Sequence, residues 1–229
     1  MEIVGLNDVD VEAVENANTA IDDLDSEVVN LINIGVDQSG SMSGFITDMK
    51  KSLSDFKDSI GNSKEADTIL VSRINFMDDS VDISGYKKID SFDTDYDACG
   101  QTPLYDAIVK GVDKLTNASG TGYMDYLKQQ GMRVKAVFSV FSDGDDTESS
   151  HSFSEAKDRI QYLNKKEIVT ACVCFGSEAE DEAKKLGFKN ILSVGSSASE
   201  LRKAFNCLSK SVVENSQSVV NNTDNFFEV

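Results

Sequence analysis

The sequence predicts an α/β fold: a doubly wound, mostly parallel sheet with helices on both faces and one antiparallel edge strand. Three observations carry this expectation. Strand-like apolar runs alternate along the chain with amphipathic helical segments. The runs show no clean alternation of apolar and polar residues, as befits strands covered on both faces. The runs at 31–37 and 134–144 pass directly into polar turns bearing aspartate, where such sheets address their ligands.

The elements follow in order. Residues 31–37 (LINIGVD) form a short apolar run ending in Asp37, a central strand. Phe45, Met49, Leu53, Phe56 and Ile60 then recur at helical spacing, closed by Gly61. Residues 67–79 are rich in β-branched and aromatic side chains, and 81–89 supply a hairpin return and an edge strand blunted by lysines. An Asp-rich polar loop spans 90–102. Pro103 opens a helix marked by Leu104, Ile108, Val112 and Leu115. Residues 117–122 break it, and 123–131 form a short helix capped by Gly131. A buried strand at 134–144 precedes a helix on Phe153, Ala156, Ile160 and Leu163. The strand at 167–176, the helix on Ala179, Ala183 and Leu186, and the strand at 190–194 follow. A last helix presents Leu201, Ala204, Phe205 and Leu208.

Lys and Arg total 22 against 40 Asp and Glu, for a formal net charge of -18. That balance argues against nucleic acid and anionic membranes, which recruit positive charge, and suits basic partners or divalent cations. Residues 1–30 carry nine carboxylates and no Lys or Arg. The expected division is an acidic leader over 1–29, one domain over 30–210 and a tail over 211–229, which Phe226 and Phe227 equip to fold back. No stretch is apolar for 18 residues, and the start has neither the basic region nor the apolar core of a signal peptide. Cys172 and Cys174 alternate within a strand-like run and read as buried free thiols. These features set the expectation of a cytoplasmic protein.

Three motifs carry chemistry. Asp37-Gln38-Ser39-Gly40-Ser41 leaves the first strand, placing one carboxylate and two hydroxyls in a strand-to-helix loop. Gln101-Thr102-Pro103 adds a hydroxyl just before a helix, and Phe141-Ser142-Asp143-Gly144 ends a second strand with another carboxylate. An all-oxygen set of this kind favours Mg²⁺, with Mn²⁺ or Ca²⁺ as alternatives, over zinc.

In order and placement, the three motifs resemble the metal-ion-dependent adhesion site of von Willebrand factor A domains, a Rossmann-like fold. The likeness extends over the chain from the first strand to the last helix. Residue by residue, the resemblance implies metal ligands at Asp37, Ser39, Ser41, Thr102 and Asp143. Ser39 and Ser41 would bind directly, Thr102 directly or through water, and the aspartates would bind or orient the hydroxyls. The resemblance is nearest to small stand-alone intracellular members, such as tellurium-resistance and YegL-like proteins. Gln101 departs from the glycine common in relatives. Asp93-Thr94-Asp95-Tyr96-Asp97 opens like a calcium loop, but Ala98 and Leu104 stand where its glycine and glutamate belong, so it reads as a solvated acidic loop.

The function implied is a non-enzymatic adaptor, in which the cation bridges to an Asp or Glu of a protein partner. The alternatives are a metal-dependent phosphoester hydrolase, or the adaptor subunit of a chelatase-like AAA+ ATPase assembly. Against catalysis, there is no P-loop, and the single histidine, His151, is expected to be exposed and inert at a helix start.

Overall fold

The computed structural model describes residues 28–144, 146–195, 197–218 and 223–227. The acidic leader up to residue 27, Asp145 and Asn221 lie outside the described residues. Seven strands form one sheet: β1 (Val28–Asp37), β2 (Ile69–Met77), β3 (Ser80–Ile83), β4 (Lys87–Lys88), β5 (Arg133–Ser142), β6 (Val169–Phe175) and β7 (Asn190–Val194). Their order is β3-β2-β1-β5-β6-β7, with β4 also on β2. All pairings are parallel except those of β3 and β4 with β2. The α-helices are α1 (Ile46–Gly61), α2 (Leu104–Leu115), α3 (Tyr123–Gln129), α4 (Phe153–Lys165), α5 (Ser177–Leu186) and α6 (Ala198–Gln217). This is the mixed, mostly parallel sheet with helices on both faces that the pattern of runs predicts.

The apolar runs lack alternation because each strand feeds two cores. On β1, Val29 and Leu31 face the layer formed by α2 to α5, while Ile32, Ile34 and Val36 face α1 and α6. The period-two geometry of the strand is intact; both faces are dry. Cys172 and Cys174 sit together on one face of β6 as buried free thiols. On the other face, Phe141 of β5 stacks on Phe205 of α6 with centroids 4.2 Å apart.

Two local features differ from the sequence reading. The edge expected as one strand is two, β3 and β4, because Ser84 replaces a ladder partner with its side chain. The Arg73 N–H donates to Ser84 Oγ at 2.8 Å, and Ser72 Oγ donates to the Ser84 carbonyl at 2.7 Å. The last helix continues well past Leu208, its end held by Lys135, whose ammonium donates to the carbonyls of Asn215, Ser216 and Ser218. In the described segment 223–227, Phe226 is buried in the core layer of α1 and α6, and its N–H donates to Asn190 Oδ1 at 2.9 Å.

The connection from β1 goes outward to β2, and the chain later returns to place β5 on the other side of β1. The order therefore reverses between β1 and β5. Their carboxyl ends lie side by side, with Val36 paired to Phe141. A crevice at such a switch point is where doubly wound folds bind ligands.

Candidate functional site

Asp37 ends β1 at the switch point and is fully buried. One of its oxygens closes a turn, accepting the Ser39 N–H at 2.9 Å. The other accepts the Ser142 hydroxyl at 2.6 Å, across the β1–β5 boundary. Burial raises the carboxyl pKa to about 6 despite the hydrogen bonds from Ser142 and Ser39 that oppose the shift. Ser39 Oγ lies 2.9 Å from Ser41 Oγ, and Ser41 Oγ donates to Asp143 Oδ1 at 2.9 Å. Asp143 is likewise raised, by desolvation, against the hydrogen bond from Ser41. A polar chain thus runs from the buried end of β1 out to the exposed Ser41 and half-buried Asp143.

The loop that carries Thr102 is pinned to this chain by its backbone. Gly40 N–H donates to the Gly100 carbonyl at 2.9 Å, and Cys99 N–H to the Gln38 carbonyl at 2.8 Å. Gly100 sits at φ +71, a conformation that suits glycine, and a Cβ there would meet Asp78 Oδ1 at 1.7 Å. The Asp78 carboxylate in turn accepts the Gln101 N–H at 3.1 Å. Thr102 itself is buried, and its backbone exchanges hydrogen bonds with Thr147. Its hydroxyl makes no hydrogen bond to the Asp37–Ser39–Ser41–Asp143 chain among the described residues. Four of the expected site residues are therefore joined directly, and the fifth is brought to the adjoining loop.

The metal-site expectation is overturned. Among the described residues, no group of three or more His, Cys, Asp and Glu side chains is arranged to hold a metal ion. The donors that the resemblance assigned to Mg²⁺, Mn²⁺ or Ca²⁺ are turned on one another: both Asp37 oxygens and one Asp143 oxygen accept protein hydrogen bonds. Asp37 is moreover buried, where its carboxyl is held toward the neutral form. The described residues thus lack the metal-ion-dependent adhesion site that the motifs resemble. The cation-bridged adaptor, a partner Asp or Glu as metal ligand, and the metal-dependent hydrolase all fall with it. Asp146, three residues beyond Asp143, faces α2, accepting the Tyr105 N–H at 3.0 Å. Ser149 Oγ accepts the next N–H, from Asp106, at 2.9 Å, so the 146–149 loop satisfies the open donors at the start of α2.

Several contributors escaped the motif reading. Ser142 is the last residue of β5, but its role depends on β5 lying beside β1, which no local pattern states. Tyr96 is buried and donates to the Asp37 carbonyl at 2.6 Å, anchoring the acidic loop to the end of β1. His151 is not inert at its helix start: its Nδ1 lies 2.7 Å from Asp106 Oδ1, and its N–H donates to the same oxygen at 2.8 Å.

No protein-family model matches the chain, and no curated protein matches it in sequence. Its fold does match solved structures. The pilus adhesin SpaC from Lactobacillus rhamnosus GG, in its open conformation, superposes with a TM-score of 0.63 at 12% identity, covering 83% of this chain and 30% of that one. Proximal thread matrix protein 1 from the mussel byssus gives 0.55 at 17% identity, over 80% of this chain and 46% of that one. The VWA domain of SpRpn10 gives 0.52 at 13% identity, over 78% of this chain and 94% of the domain. These likenesses define a von Willebrand A-like fold. The chain spans 30% of the adhesin's length and 46% of the matrix protein's.

Proposed function

We propose that the chain is a non-catalytic, cytoplasmic protein-binding module. Its contact surface is the loop edge beyond β1 and β5, centred on Ser41 and Asp143 and underpinned by the buried Asp37, Ser39 and Thr102. The observation that carries this reading is the polar chain at the switch point, which ends in the exposed Ser41 hydroxyl and the half-buried Asp143 carboxylate. A partner meets these groups directly by hydrogen bonds. The body that carries the edge runs from β1 at Val28 through the end of α6 at Gln217.

Three further points support the reading. One of the matched structures is a pilus adhesin and another a VWA domain. His151 is committed to Asp106 rather than to the polar chain, so the edge has no imidazole beside its hydroxyls to act as a base. Among the described residues, no helix is long and apolar enough to cross a membrane, and all four cysteines are free thiols, which fits a reducing compartment.

The test is capture of partners from native lysate on the immobilised full chain, with Ser41→Trp and Asp143→Lys as edge variants. Arg133→Glu, at the opposite end of β5, serves as the control, and all variants are first shown to melt like the parent. Partners lost from both edge variants and kept by the control support the reading. Partners kept by the edge variants would move the function elsewhere.

A further inference from the structure

Asp143-Gly144 is the one Asp-Gly pair in the sequence, and no Asn-Gly pair occurs. In such a pair the glycine nitrogen is able to attack the preceding side-chain carboxyl, because no Cβ shields it and its backbone turns freely. The fold itself does not call for a glycine here. A Cβ built on Gly144 would meet nothing within 4 Å, and Gly144 is not among the glycines in the left-handed region. What the glycine leaves open is chemistry at its nitrogen.

Both reacting groups are met by the polar chain at the switch point. The Gly144 N–H donates to Ser142 Oγ at 3.4 Å. The Ser142 hydroxyl has two acceptors in reach, and Asp37 Oδ2 at 2.6 Å wins over the Gly144 carbonyl at 3.4 Å. With its own proton turned to Asp37, Ser142 Oγ is held as an acceptor toward the amide. On the other side Ser41 Oγ donates to Asp143 Oδ1 at 2.9 Å, which draws electron density from the carboxyl carbon. Burial raises the Asp143 carboxyl and so favours the acid, whose hydroxyl is able to leave, over the carboxylate. Nucleophile and electrophile are thereby addressed from opposite sides by two serines of distant loops.

We propose that Asp143–Gly144 is a self-modification site, at which the folded edge converts the aspartate through a succinimide into isoaspartate. The Gly144 nitrogen bonds to Asp143 Cγ, the C–OH bond of the acid breaks, and the amide proton leaves with that hydroxyl as one water. Ser142 Oγ holds the N–H during the attack, and Ser41 Oγ donates to the carboxyl oxygen. Water then opens the ring. Addition at the Asp143 main-chain carbonyl leaves isoaspartate, addition at Cγ restores aspartate, and neither route needs an oxidant or reductant. Isoaspartate adds one methylene to the main chain after β5 and shortens the side chain by the same amount, which breaks the contact with Ser41. The consequence for partners rests on the binding-module reading; the chemistry does not.

The experiment incubates the full chain at neutral pH, folded in one arm and unfolded in guanidinium chloride in the other. Isoaspartate is read by methylation with a protein isoaspartyl methyltransferase and located by mass spectrometry, and the succinimide by the loss of one water. The folded chain is expected to convert at residue 143 roughly tenfold faster than the unfolded one. Ser41→Ala should slow the folded chain to the unfolded rate and leave the unfolded rate unchanged. Gly144→Ala, for which the fold has room, should suppress conversion in both arms. A folded chain no faster than the unfolded one, or a Ser41→Ala chain at the parent's rate with the parent's melting temperature, would overturn the proposal. Captured partners separate the two readings. Partners lost from the edge variants, with no conversion in the folded chain, sink the modification site and leave the module. Folded-state conversion with partners kept by every edge variant sinks the module reading and leaves the modification site.

Discussion

Ser142 Oγ donates to Asp37 Oδ2 across 2.6 Å, joining the ends of the two strands between which the order of the sheet reverses. The bond is buried at both ends, so it ties the stability of the fold to the charge on one carboxyl.

Asp37 is raised from 3.8 to about 6, chiefly by burial. The folded state therefore holds this proton more tightly than the unfolded chain. The stabilisation is complete below the unfolded value and is lost as pH rises through about 6. Asp37→Asn removes the titration. Compared with that variant, the parent should lose on the order of 3 kcal/mol between about pH 3.5 and pH 7.5. Urea melts of both proteins at the two pH values check the sign; a constant difference would contradict it.

Ser142→Ala leaves a buried carboxylate oxygen without its donor. The loss should be about 1–3 kcal/mol, and larger at neutral pH, where the orphaned group is ionised, than in acid. Thermal melts at both pH values, set against Ser209→Ala in α6 as a buried hydroxyl remote from Asp37, isolate the effect.

Gly100→Ala should disturb the edge while Gly44→Ala should not. At Gly100 the backbone is left-handed and a Cβ would collide with the Asp78 carboxylate, whereas at Gly44 nothing lies within 4 Å. The expected cost is about 1–3 kcal/mol at Gly100 against within about 0.5 kcal/mol at Gly44. Amide exchange at Gly40 and Gln101 reports whether the loop has come away.

Asp106 behaves oppositely to Asp37. Burial would raise its carboxyl, but hydrogen bonds from the His151 N–H and ring, Ser150 and Lys110 outweigh burial and hold it at about 2. Its stabilisation is present above 3.8 and is lost as pH falls toward about 2. Asp106→Asn should cost on the order of 2 kcal/mol at neutral pH, with the gap closing in acid. Denaturant melts at about pH 7 and pH 2.5 test this.

Lys135→Met should loosen the end of α6 without unfolding the sheet. Three carbonyls lose a charged donor, at an expected cost of about 1.5–3 kcal/mol. Faster hydrogen exchange confined to the last turns of α6 is the signature; uniform protection would contradict the assignment.

The periodicities were sufficient for the architecture, because a strand dry on both faces and a helix with one apolar stripe differ in pattern at the level of single residues. Phe45, Met49, Leu53, Phe56 and Ile60 declare a helix, and LINIGVD a central strand, whatever their neighbours are. The position of Asp37 and Asp143 at strand ends was equally legible. The state of those carboxylates was not. It depends on β5 lying against β1, which brings Ser142 to Asp37, and on Ser41 reaching a residue 102 positions away. A motif fixes the order of donors along the chain. Whether they point at a shared cation or close on one another is decided by the register of strands, the depth of burial and the hydrogen bonds that distant residues supply. Tyr96 shows the same limit: the sequence placed it in an acidic loop, and only the packing of that loop on the end of β1 buried it and turned its hydroxyl to the Asp37 carbonyl.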